Sequence, residues 1–162
     1  MKHVKTIITF LILFTMAVPA MSQSIESAMS AAKSEGKKVL IIFYSHNDSW
    51  SQKLEKEVLT YQAALAEMSK FVVVKMDGDS ESKFQYGGKS INAKELSGMF
   101  SVTGYPSFVF MNPDGSAISF KYNGETVTSL SGYLDAADFV EMLKYFLGNK
   151  QTDTDLSTMF GN

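Results

Sequence analysis

Residues 43–58 read FYSHNDSWSQKLEKEV: the end of an apolar run, a short polar turn, and the opening of an amphipathic helix. A turn from strand to helix is where α/β proteins place their chemistry, because the first N–H groups of a helix have no intrahelical partner. Before the turn, residues 39–44 (VLIIFY) form a continuous apolar run of β-branched and aromatic character, the pattern of a strand covered on both faces. After it, Leu54, Val58, Tyr61, Leu65 and Met68 recur at helical spacing and predict one continuous helix with a single buried face. Residues 71–76 (FVVVKM) are a second buried strand. Strand, helix and strand at this separation predict a parallel pair joined by a right-handed crossover.

Upstream, Ile25, Ala28, Met29 and Ala32 place a helix over 25–34, stopped by Gly36. Residues 1–22 have Lys2 and Lys5, an apolar stretch over 7–18, and small residues before Gln23, the pattern of a secretory signal peptide cleaved between Ser22 and Gln23. The apolar stretch falls short of the roughly 20 residues a membrane span needs. The expectation is therefore an exported protein, periplasmic or secreted, with no membrane span in its mature form. Downstream, residues 77–90 are polar and predict a loop, including Gly87-Gly88. Asn92 caps a helix over 92–100, with Glu95 placed to complete a capping box. Residues 107–111 and 117–122 predict a β-hairpin around the Asn112-Pro113-Asp114-Gly115 turn. Residues 124–132 predict a loop, and 135–147 a helix with Phe139, Leu143, Phe146 and Leu147 inward. The expected organisation is a signal peptide over 1–22, one domain over 23–148, and a loose polar tail over 149–162.

Composition narrows the chemistry. The net charge is −2, and all 15 basic residues are Lys, without a basic patch. That disfavours nucleic acid as a partner. The absence of cysteine removes disulfides, thiol catalysis and thiolate metal sites. With only His3 and His46 as histidines, neither a metal site nor another cofactor is expected.

Two segments carry a resemblance. F-Y-S-H-N-D-S-W-S-Q-K-L-E-K-E-V resembles the active-site segment of secreted thioredoxin-like proteins, where a Trp-Cys-x-x-Cys turn opens a helix. V-T-G-Y-P-S-F-V-F-M-N-P-D-G, residues 102–115, is similar to the family's second signature, in which a cis-proline faces the redox pair. The resemblance implies a thioredoxin fold, a three-layer α/β sandwich with a mixed central sheet flanked by helices. It also implies where this chain departs. Asp48 and Ser51 occupy the two cysteine positions, Asn47 replaces the tryptophan, and Trp50 lies inside the turn. Ile42 stands where many thioredoxins bury a carboxylate.

Thiol–disulfide exchange requires a thiolate, which neither Asp48 nor Ser51 supplies. Asp48 is suited to capping the helix, and it also keeps a negative charge where the thiolate would stand. By the resemblance, Pro106 is the cis-proline and presents the main chain of Tyr105 to an extended peptide. Trp50 and Tyr105 would add aromatic surface. Alternatively, Pro106 and the aromatics serve the fold alone. The expected function is a non-enzymatic thioredoxin-like protein that binds an extended peptide or an envelope protein at Trp50, Tyr105 and Pro106. Two other readings stand beside it: a hydrolase or metal-dependent enzyme using His46, Asp48 and Ser51, and a purely structural module of an envelope complex.

Overall fold

The computed structural model describes residues 24–161, so the expected signal peptide lies outside the described residues. The first helix, α1 (Ile25–Glu35), begins at Ser24, whose hydroxyl accepts the Ser27 N–H, and ends at Gly36 with φ 65°. A left-handed residue is needed there to turn the N–H groups of Gly36 and Lys37 back onto Ala32 O, and glycine adopts it without strain.

Strand β1 (Val39–Tyr44) pairs in parallel with β2 (Val72–Asp77) and antiparallel with β5 (Ser107–Met111). A short strand β8 (Ser129–Ser131) closes the other side of β5, giving the order β2-β1-β5-β8. The sheet is therefore mixed, as expected. Alternation along β1 divides the interior in two. Leu40 and Ile42 face one layer with Leu54, Val58, Met68 and the helix α5 (Ala136–Leu147). Val39, Ile41 and Phe43 face the other, with α1 and α4 (Ala93–Met99). On the first side Phe110 stacks on Phe146 at 3.7 Å, and Phe71 and Phe120 extend the aromatic row. The capping box at α4 forms as predicted: Glu95 N–H donates to Asn92 Oδ1, and Asn92 N–H donates to Glu95 Oε2.

Four expectations are corrected. The helix after the turn is not continuous. It runs as α2 (Ser49–Lys53), widens into a π-helical turn over Leu54–Val58, breaks, and resumes as α3 (Gln62–Met68). In the π turn Leu59 N–H reaches back five residues to Leu54 O. The extra residue rotates everything after it, so Leu54, Val58 and Leu59 are all buried and Tyr61 is left 50% exposed. Next, the loop over 77–90 contains a hairpin of β3 (Phe84–Tyr86) and β4 (Lys89–Ile91). Gly87 and Gly88, at φ 56° and 76°, form the two-residue turn whose twist matches a hairpin.

The returning edge beside β5 is also divided. Met111 pairs with Ala117, and Ile118 N–H donates to Phe110 O, but the chain then leaves the sheet. It makes a separate hairpin of β6 (Phe120–Tyr122) and β7 (Glu125–Val127) around Asn123-Gly124, and rejoins β5 as β8, so the range 124–132 expected as a loop holds two short strands. Finally, the tail is docked. Leu156 is fully buried, Tyr145 Oη donates to Thr154 O at 2.7 Å, and Asp155 accepts the N–H groups of Asn123 and Gly124.

Candidate functional site

The turn after β1 is built from short polar side chains that satisfy one another. Asp48 is the N-cap of α2, and its carboxylate accepts the Ser51 N–H at 2.6 Å. Ser51 is buried, and its hydroxyl oxygen accepts the Ser45 N–H at 3.3 Å. The Ser45 hydroxyl donates to Asp79 and accepts the Asn47 N–H at 3.1 Å. Gln52 Nε2 clamps His46 O at 2.7 Å. Asp48 and Ser51, which the resemblance sets at the cysteine positions, are thus close in space, one acting as a cap and the other packed inward.

His46 is turned elsewhere. Its exposed ring lies edge-on to Tyr44, with Nε2 3.5 Å from Tyr44 Oη and 3.8 Å from Asp77. Among the described residues no hydrogen bond links His46 to Ser51 or Asp48. A serine nucleophile requires a base within hydrogen-bond reach. Ser51 has its oxygen committed to a backbone N–H instead. Among the described residues no group of three His, Asp or Glu side chains is gathered to hold a metal. Ile42 is fully buried among Leu40, Leu54 and Val58, so the strand position behind the turn is apolar.

The peptide bond between Tyr105 and Pro106 is cis. Pro106 is buried, and its carbonyl accepts the Gly132 N–H at 2.8 Å. Thr103 N–H donates to Ser131 Oγ, and Ser107 Oγ donates to Gly104 O at 2.6 Å, which stitches this loop to β8 on one side and to itself on the other. The N–H and C=O of Tyr105 have no hydrogen-bond partner among the described residues. Its side chain does not join Trp50. The ring packs over Gly78, where an added Cβ would lie 2.0 Å from Tyr105 Oη. Burial pushes the phenol's pKa up and the carboxylates of Asp79 and Asp77 add to the shift, with the Ser97 hydroxyl opposing.

Trp50 pairs instead with Tyr133, a residue the sequence did not single out. The ring centroids are 5.3 Å apart, and Trp50 remains 52% exposed. Lys53 places its ammonium 5.4 Å from the Trp50 ring and 4.8 Å from the Tyr133 ring, within cation–π range. Tyr133 Oη donates to Glu57 at 3.4 Å. Tyr133 follows Gly132, whose N–H holds Pro106, so one short segment joins the aromatic pair to the Tyr105–Pro106 loop.

Comparison with known proteins agrees with this architecture. A sequence model of the family described as Thioredoxin-like domain matches residues 25–147. No curated protein sequence matches the chain. Among solved structures, a thioredoxin from Thermus thermophilus is 23% identical with a TM-score of 0.57, over 80% of this chain and 88% of that one. A thioredoxin-fold protein from Helicobacter pylori is 18% identical with a TM-score of 0.61, over 76% and 80%. The C-terminal domain of Neisseria meningitidis DsbD, in its oxidised form, is 19% identical with a TM-score of 0.53, over 77% and 97%. These structural likenesses carry the fold. The mixed four-stranded sheet, the cis peptide bond before Pro106 at the start of β5, and the match over 25–147 together place this chain in the thioredoxin-like domain family, as a member with no cysteine.

Proposed function

We propose that the chain is an exported, non-catalytic thioredoxin-like protein. It binds an extended segment of an envelope protein along the face made by Trp50, Tyr133 and the main chain of Tyr105 beside Pro106. The observation that carries this reading is the unpaired N–H and C=O of Tyr105 among the described residues, tied through the Gly132 N–H to Pro106 O bond to the segment that carries Tyr133, on which the exposed Trp50 packs. An extended peptide satisfies such an edge by strand addition, and aromatic surface beside it supplies apolar contact. With no cysteine, the chain has no thiol of its own for thiol–disulfide exchange. Export rests on the charge and apolar pattern of residues 1–22, and is checked by the N-terminal sequence of the protein recovered from the envelope or medium, expected to begin at Gln23.

The binding reading is tested by capture from a native envelope extract with the mature protein and a folded Trp50→Ala/Tyr133→Ala variant. A partner held by the first and lost by the second supports the site. Equal capture by both, or capture by neither, refutes it. The alternative of a serine-type or metal-dependent enzyme at His46, Asp48 and Ser51 predicts labelling of Ser51 by a fluorophosphonate. The buried, hydrogen-bonded Ser51 oxygen argues for no labelling.

A further inference from the structure

The divided edge strand creates a second surface feature. Between the β6–β7 hairpin, β8 and the segment leading to the Tyr105–Pro106 loop lies a groove of about 420 Å³. That volume is in the range of small-molecule sites, about 300–1,000 Å³. Most of its lining side chains carry a hydroxyl, and none carries a carboxylate, an ammonium or an imidazole. Three of the hydroxyls are structural: Thr128 donates to Phe100 O at 2.9 Å, Ser129 donates to Ser101 O at 3.3 Å, and Ser131 Oγ accepts the Thr103 N–H at 3.2 Å, fixing one wall on the other. The hydroxyls of Ser101, Thr103, Thr126 and Tyr122 line the same groove and have no partner among the described residues.

We infer that this groove binds a neutral saccharide. An ionised ligand would lose hydration there without meeting an opposite charge. A wholly apolar ligand would strip water from free hydroxyls and return no hydrogen bonds. A ligand bearing several hydroxyls fits both demands, because hydroxyls donate and accept at once and can pair with this set in more than one sense. Tyr122, half-buried with its ring tilted against Phe160 at 6.3 Å, adds one more hydroxyl and part of an aromatic edge to this set. A peptide main chain is recognised differently, through a free backbone edge such as that of Tyr105. The saccharide site is therefore independent of the peptide-binding face, although Ser131 lines the groove and Gly132, its neighbour, holds Pro106.

The test is an NMR titration of the ¹⁵N-labelled protein with maltotriose, cellotriose and chitotriose, beside glucose 6-phosphate and a neutral Ser/Thr peptide. The expected result is a saturable shift of amides in 101–103 and 122–131 with at least one neutral trisaccharide. Thr103→Val and Thr126→Val each replace an exposed hydroxyl by a methyl of the same shape. Each should weaken that binding roughly three- to tenfold, one hydrogen bond's worth. Failure of all three sugars, shifts that map elsewhere, unchanged affinity in both variants, or stronger binding by the phosphate or the peptide would each overturn the assignment.

Discussion

Replacing Leu156 by alanine probes whether the last dozen residues belong to the folded unit. Leu156 is fully buried and joins the core layer of Phe120, Tyr145 and Phe146. Truncating a buried leucine costs about 2–5 kcal/mol, the larger values where the surroundings cannot close over the space. Here the residue sits in a short 3₁₀ turn, Leu156–Met159, that can move inward. We therefore expect about 2–3 kcal/mol, a large part of the roughly 5–15 kcal/mol that holds a domain together. For a domain of this size that lowers the Tm by roughly 6–12 °C. Urea unfolding monitored by circular dichroism measures the loss, with Met99→Ala as a control because Met99 is 60% exposed. An exposed site should change stability by no more than about 0.5 kcal/mol. If Leu156→Ala behaves like Met99→Ala, the tail contributes no core and the packing described above is wrong.

Three further predictions follow from named contacts. Gly78→Ala should destabilise by about 1–3 kcal/mol through its clash with Tyr105 Oη, and the loss should shrink in the Gly78→Ala/Tyr105→Ala double variant. Additive losses in that cycle would show that the two residues do not meet. Asp48→Ala should cost about 1 kcal/mol by urea unfolding and Asp48→Asn much less, since asparagine also caps; equal losses would mean that charge, and not capping, is what Asp48 supplies. The Ser157 hydroxyl and the Gly124 N–H, with further backbone donors, hold the Asp155 carboxyl at about 2, below its ordinary 3.8. Its folded value lies below its unfolded one, so its stabilisation is complete above the ordinary value and is lost as pH falls from about 4 towards 2. Protection factors at Asn123 and Gly124, taken relative to intrinsic exchange at each pH, should fall over that interval, and in Asp155→Asn the pH step should vanish.

The regular parts of the fold were legible because one local signal dominated each. VLIIFY could only be a covered strand, Asn92 and Glu95 marked a helix start by chemistry alone, and Gly36 marked an end. The break at Thr60 was hidden because Leu54, Val58, Tyr61, Leu65 and Met68 fit an unbroken helix, and a π turn leaves no mark on apolar spacing. The two added hairpins had a usable signal in Gly87-Gly88 and Asn123-Gly124, both dipeptides suited to two-residue turns, but their strands are only three residues long. The tail looked loose because Leu156 is a lone aliphatic among polar neighbours. At the site, Asp48 as a cap was readable from the turn itself. The pairing of Trp50 with Tyr133 was not, because it joins residues far apart in sequence and depends on where Gly132 carries the chain past Pro106.

The excursion over residues 119–128 leaves the sheet at Ile118 and returns at Ser129 without altering the central strands. Such a piece can lengthen, shorten or vanish over evolution while the sheet stays whole. Its turn, however, is held by Asp155 on the C-terminal segment, so the two form a lock and its key. Relatives that lack the hairpin should then also lack an acidic residue at the matching point of the tail, and the two features should be gained or lost together.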